Sequence, residues 1–246
     1  MLKKVYVLFA VILCCVLITA CKEKKDNVLK AGINADFPPF EYYENGQVVG
    51  FDIDLINEIG NKLNKKIEFE EMEFNTLLTA LSSGKVDLII SGLDITDERK
   101  QQVDFTQGYY ANELSLIVLN DSNIKDINDL KDKKVGTELG TSGDNYVNEL
   151  KDVKNIQFND SSSTIMNLKS NKVDAVIIDK PVAEKILKNV NGCKILENVN
   201  IKTSEMGIAV NKNNKELLND LNKALTELKN NGKLKELNVK YFSNNK

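Results

Sequence analysis

Short apolar strands alternating with amphipathic helical patterns place this chain in the α/β class, with a largely parallel sheet. "VDLIISG" and "VDAVIID" each set a continuous apolar run after a helical pattern, as strands buried on both faces do. The two regions also echo one another. "TLLTALSSGKVDLIISG" (Thr76 to Gly92) parallels "TIMNLKSNKVDAVIID" (Thr164 to Asp179), in register from Leu81 and Leu168 through Val86 and Val173. The echo predicts two similarly built lobes, with Gly92 and Asp179 at matching strand ends. Open α/β sheets carry their sites beyond the carboxyl ends of their strands, so both ends would look into one cleft.

The chain has 246 residues, 42% of them hydrophobic, and a formal charge of −3, enough for one or two globular domains. Positive charge is spread along it, with no lysine block interleaved with aromatics, so no nucleic-acid partner is expected. Lys3 and Lys4 precede an apolar run from Val5 to Ile18. That run has secretory-signal proportions and is too short to cross a ~30 Å hydrocarbon core. It ends in "LITAC", which resembles the lipobox of bacterial lipoproteins. Residues 1–20 are thus expected to be a signal peptide, Cys21 the lipidated residue and 21–27 a polar tether. A simple signal peptide or an uncleaved anchor with a chance cysteine is the alternative. Cys14 and Cys15 fall inside the signal, so Cys193 is the thiol left in the mature domain and no intrachain disulfide is expected there. There is no histidine, which excludes imidazole-based triads and histidine-ligated metals; no metal or cofactor is expected.

"NADFPPFEYYENGQVVGFD" (Asn34 to Asp52) brings Phe37, Phe40 and Phe51 around a Pro-Pro turn and an Asn45-Gly46 hairpin. Exposed aromatics on such a loop would form an apolar clamp for a small ligand; Phe40 reads better as core. Asp52 is expected to cap a helix through Ile53, Ile56, Ile59 and Leu63. Asn75 is expected to cap another through Leu77, Leu78 and Leu81, stopped near Gly84. "SGLDITDERK" holds Arg99, the sole arginine of the chain. A lysine-biased sequence keeps an arginine where a planar fork is needed, most often for a carboxylate; internal pairing with Asp97 or Glu98 is the alternative. "LGTSGDNY" (Leu139 to Tyr146) follows the strand "KKVGTE" and offers the amides of a helix start to an anion. It lacks the lysine of a nucleotide-phosphate loop. Asp179 ends a fully apolar strand just before Pro181, where a carboxylate is costly to bury alone. Leu217, Leu218, Leu221, Leu225 and Leu228 repeat at helical spacing up to Gly232 and read as core.

From about residue 28 to 243 the chain resembles the polar-amino-acid solute-binding proteins of bacterial ABC importers. The markers are "DFPPFEY", "GFDIDL", "SGLDITDER", "LGTSG" and "IIDKPVA", in that order. The resemblance implies a type II, two-lobed clamshell with two hinge strands: residues 28–113 and 205–246 in one lobe, 114–204 in the other. It implies that Arg99 holds a ligand α-carboxylate, helped by amides around Asp94 and at Thr141 and Ser142. Ser91 and Gly92 would line the site, the Gly92 carbonyl and Asp179 taking the α-ammonium. Phe37 and Phe51 would sandwich the side chain. Asn34 stands where the family often has aspartate, which argues against a direct charge contact there. Glu138 lies where the family's second lobe faces the ligand side chain, and Asp94 and Glu41 would lie near the first lobe's rim, so the expected ligand is arginine, lysine or ornithine. A neutral ligand such as glutamine or cystine is the alternative.

The partners implied are a free amino acid, a membrane permease with its ATPase, and the bilayer through Cys21, for a monomer on the outer face of the cell membrane. Glu41 and Glu138 could serve a clamshell enzyme of the cyclohexadienyl dehydratase type. An intact amino-acid site argues for holding a ligand instead, and no enzymatic activity is expected.

Overall fold

The computed structural model describes residues 27–243 apart from 198 and 200. The expected signal, Cys21 and the tether up to 26 lie outside the described residues.

The chain opens with β1 (Val28–Ile33), then a small antiparallel sheet of β2 (Asp36–Phe37), β3 (Glu41–Glu44) and β4 (Gln47–Val49). Asn45 and Gly46 join β3 to β4 with φ of 52° and 76°, the left-handed pair of the expected hairpin. Helix α1 (Phe51–Leu63) follows, but Asp52 does not cap it. Gly50 is the N-cap, and a Cβ there would sit 2.0 Å from the Phe40 carbonyl oxygen. The first helical amides donate to backbone instead, Phe51 to Pro39 at 3.0 Å and Asp52 to Phe40 at 2.9 Å. With its capping task taken by the Pro-Pro turn, the Asp52 carboxylate turns inward and is fully buried.

Next come β5 (Lys66–Glu71), α2 (Leu77–Ser82), β6 (Leu88–Ile89), α3 (Asp97–Gln102) and β7 (Val103–Phe105). Asn75 lies inside a 3₁₀ turn, Phe74–Thr76, and Thr76 is the N-cap of α2 with no side-chain bond. Gly84, with φ of 73°, follows the end of α2 close to the expected stop. The long strand β8 (Tyr110–Leu119) leads to β9 (Lys134–Glu138), α4 (Ser142–Glu149), β10 (Lys154–Phe158), α5 (Ser161–Lys169), β11 (Ala175–Asp179), α6 (Lys180–Leu187) and β12 (Cys193–Ile195). Strands β13 (Thr203–Met206) and β14 (Ala209–Asn211) return the chain to helices α7 (Lys215–Asn230) and α8 (Lys233–Phe242).

Two larger sheets repeat one pattern: β5-β1-β6-β14-β7 and β10-β9-β11-β8-β12. In each, three parallel strands are followed by an antiparallel one. The echoing segments occupy the same place in both, because β6 and β11 are the third strands of the parallel sets. The early half of β8 pairs with β13, Tyr110 opposite Met206 and Glu113 opposite Thr203, while its later half pairs with β11 and β12. These two antiparallel strands connect the lobes.

Apolar burial follows the predicted faces. Ala175 to Ile178 are at most 1% exposed, as are Ile56 and Ile59 of α1. Leu217, Leu221, Leu225 and Leu228 of α7 are buried, and Leu218 packs against the same cluster. Phe40 is wholly buried among Phe37, Phe51, Tyr110 and Phe242, with centroids 5.1 to 6.2 Å apart.

Candidate functional site

The loop leaving β6 carries Ser91, Gly92 and Asp94. Gly92 has φ of 52°, and a Cβ on it would stand 2.5 Å from the Phe37 ring, so the turn needs glycine twice over. Its N–H donates to Asp52 Oδ2 at 2.8 Å, and the Tyr109 hydroxyl donates to the same oxygen at 2.8 Å. Ser91 accepts the Asn34 N–H at 3.0 Å and donates its hydroxyl to Glu41 Oε1 at 2.6 Å. Glu41 is therefore not at a rim. It is 0% exposed beneath Ser91, drawn in by that hydroxyl. Burial, with Asp52 beside it, pushes the Glu41 carboxyl well above the usual range; burial raises Asp52 to about 6. Such a pair readily shares a proton and holds the Gly92 turn from behind.

Phe37 stacks on Phe40 at 5.6 Å and touches Gly92. Phe51 has no exposed surface, with Phe40, Tyr109, Tyr110, Tyr241 and Phe242 around it at 5.2 to 6.2 Å. Asn34 donates to the Met72 carbonyl at 3.2 Å, while its Oδ1 is buried without a partner among the described residues.

Thr96 caps α3 by accepting the Arg99 N–H. The Arg99 guanidinium, 5% exposed, donates to the Asp94 carbonyl at 2.8 Å and, across the lobes, to the Gly140 carbonyl at 3.0 Å. Its carbon lies 5.6 Å from the Phe74 centroid. Internal pairing with Asp97 or Glu98 does not occur: Lys100 takes Asp97 at 3.4 Å, and Arg99 makes none of the ion pairs among the described residues. A buried guanidinium bonded to two carbonyls still lacks a counter-charge of its own. Burial lowers its pKa, opposed by Asp94, Asp179 and Glu98.

Opposite it, Thr141 caps α4, accepting the Asp144 N–H at 3.3 Å, and the Ser142 hydroxyl oxygen is buried without a partner among the described residues. Asp144 holds this loop from behind by accepting the Gly140 N–H at 2.9 Å. Glu138, ending β9, accepts the Ser161 hydroxyl at 2.6 Å; burial, reinforced by Asp179, Asp160 and Asp36, raises it to about 8. Asp179 ends β11 at the N-cap of α6 yet makes no capping bond. It accepts from the amide of Asn112, which also donates to Asp94 Oδ1 at 3.2 Å. Burial and Asp94 raise Asp179 to about 7.

The two strand ends thus meet, bringing Arg99, Asp94, Thr141, Ser142, Glu138 and Asp179 around one seam, with Ser91, Gly92, Phe37 and Asn34 on the first lobe's side. Glu41 and Phe51 stand behind it. Sequence reasoning missed Asn112, Asp52, Gly140 and Ser161. A signal existed for Asn112: in "YANELSLIVL" it falls on the same phase as Leu114 and Leu116, a polar residue on a core-facing track. Chemically, the seam offers one guanidinium against several carboxylates short of cations, which suits a zwitterion bearing extra positive charge. No group of three or more acidic or cysteine residues among the described ones could hold a metal.

Comparison with known proteins agrees with this architecture. Residues 29–244 match the family model "Bacterial extracellular solute-binding proteins, family 3". The chain is 36% identical to the arginine-binding extracellular protein ArtP of Bacillus subtilis (strain 168), covering 93% of this chain and 94% of that one. It is 34% identical to the ABC transporter arginine-binding protein 1 of Escherichia coli (strain K12), over 86% and 89% of the two. Solved structures of an ancestral arginine-binding protein, bound to arginine and to glutamine, superpose with a TM-score of 0.83 at 42% identity, covering 88% of this chain and 98% of theirs. The fold is the two-lobed, type II periplasmic binding-protein architecture. By family model, relatives and fold alike, this chain belongs to the bacterial extracellular solute-binding proteins of family 3.

Proposed function

We propose that this chain is the substrate-binding component of an amino-acid ABC importer and captures a cationic amino acid (arginine, lysine or ornithine) between its lobes. The observation that carries the reading is the seam itself: Arg99 on one side, Asp179 and Glu138 on the other, all nearly buried. Arg99 takes the α-carboxylate with the amides of Thr141 and Ser142. Asp179 and the Gly92 carbonyl take the α-ammonium. Glu138 takes the side-chain cation, and Phe37 covers its aliphatic stem. Desolvating a zwitterion costs several kcal/mol unless both ends are paired, so contacts from both lobes favour the closed form. The lobe boundaries at 113/114 and 204/205 suit this use, since β8 and β13 pair there.

The relatives are solute-binding proteins, and the placement of Arg99 opposite Asp179 across the seam suits holding a ligand rather than converting it. Lipidation at Cys21 would keep the chain on the outer face of the membrane as a monomer that presents the closed form to a permease and its ATPase. No helix among the described residues is long and apolar enough to cross a membrane.

A neutral ligand is the second reading. Glu138, raised to about 8, is largely protonated at neutral pH and so can hydrogen-bond a side-chain amide, and Asn34 adds no charge. A thermal-shift screen of the twenty amino acids with ornithine and cystine, followed by calorimetry, tests both. A ligand at ~100 times its dissociation constant adds ~2.7 kcal/mol to stability. Arginine, lysine or ornithine should stand out; micromolar glutamate binding without arginine binding would refute the charge argument.

A further inference from the structure

We infer that Asn112, on the first hinge strand, is a positioning residue that ties Asp179 of the second lobe to Asp94 of the first and so stabilises the closed cleft. The inference rests on the amino-acid-binding reading for the identity of the ligand, and on geometry alone for the coupling. Asn112 is 2% exposed, and its Nδ2 donates to Asp94 Oδ1 at 3.2 Å and to Asp179 Oδ1. Ser204, its register partner on β13, donates its hydroxyl to the same Asp94 oxygen at 2.5 Å. Both hinge strands are thereby fastened to one carboxylate oxygen of the first lobe. Asn112 also reaches the second lobe, and Asp94 holds Arg99 through its backbone carbonyl. An amide nitrogen carries two hydrogens, one for each lobe, so swinging the lobes apart breaks at least one of the two bonds.

The residue type fits the task. Lysine or arginine here would set a permanent positive charge between the two carboxylates and weaken their demand for a ligand cation. An apolar side chain would leave two buried carboxylates facing one another with no donor shared between them, Ser204 serving Asp94 alone. Asparagine donates to both and adds no charge. Its Oδ1, buried without a partner among the described residues, remains a spare acceptor beside them.

Asn112→Ala and Asn112→Ser are compared with the parent chain by stopped-flow arginine binding and by small-angle X-ray scattering. For Asn112→Ala, arginine dissociation should quicken about tenfold, the size of one hydrogen bond to a charged group, with association changed less than about twofold. The arginine concentration needed to compact the protein should rise in proportion. Asn112→Ser keeps a single hydroxyl donor and should fall between the two. Unchanged dissociation in a folded variant overturns the inference, and so does an equal loss spread over both rate constants, which marks a merely structural residue. If the parent binds no amino acid, the proposed function fails and ligand-free scattering decides alone. More open variants then support the coupling, and identical curves overturn it.

Discussion

Asp144 and Asp179 are two carboxylates of the second lobe, 3% and 4% exposed, in opposite surroundings. Asp144 accepts from the Thr137 hydroxyl, the side-chain amides of Asn148, Asn155 and Gln157, and the Gly140 N–H, at 2.6 to 3.3 Å. Asp179 accepts from Asn112 and faces Asp94, which together with burial holds it near 7. A buried charge used as scaffold is saturated by its own protein. Asp179 has far fewer donors than Asp144, and burial with Asp94 beside it raises its pKa, which fits the proposed use of this carboxylate for a ligand cation.

The sharpest way to break that contrast is to neutralise each. Asp179→Asn should weaken amino-acid binding by about 3 kcal/mol, roughly a hundredfold, while the ligand-free melting temperature holds or rises. Asp144→Ala should do the reverse, lowering stability by about 3 kcal/mol as several donors lose their acceptor and weakening binding less. Calorimetry and thermal unfolding read both; equal stability losses would erase the distinction. Arg99→Lys comes next. It keeps the charge but not the fork that spans Asp94, Gly140 and a carboxylate, and should cost about 2 kcal/mol of affinity by the same titration.

Glu138→Gln should weaken arginine binding by about 1.5 kcal/mol and glutamine binding by less, which calorimetry with the two ligands separates. The two raised carboxyls also set a pH dependence. Asp179 rises from 3.8 to about 7 and Glu138 from 4.5 to about 8, so between these limits the folded ligand-free chain holds more protons than the unfolded one. Its stability should therefore fall as pH rises through that window, and Glu41 and Asp52 act in the same direction. Arginine affinity should move oppositely, gaining on the order of a hundredfold from pH 6 to 8.5 with proton release, about tenfold from each carboxyl, seen as buffer-dependent binding enthalpies. Lys185→Ala should do least. Its ammonium lies 5.4 Å from the Tyr42 ring across the cleft mouth, and its loss should cost about 0.5 kcal/mol of affinity.

Much of this was legible in the residues because it rests on local chemistry. The hairpin at Asn45-Gly46, the glycine stops, the leucine face of α7 and the matched strand ends all follow from rules spanning a few positions. Phe40 as core and Arg99 as a fork drawn away from its neighbours also emerged. What escaped depends on partners far away in the chain. Asp52 looks like a helix cap until the Pro39 and Phe40 carbonyls take the helix amides. Glu41 looks like a rim acid until Ser91, fifty positions on, draws it under. Asn112 matters only because Asp94 and Asp179 arrive on either side of it.

Strand β8 runs ten residues without interruption through both halves of its pairing. A single residue removed early in β8 would reverse which side every later residue faces. Leu114 and Leu116 would trade faces with Ser115 and Ile117, which are themselves buried on the other side of the strand, and the amide that spans the two jaws would point away from both. In this protein, the length of one strand is a ruler: grafts and insertions between family members should be rejected within it.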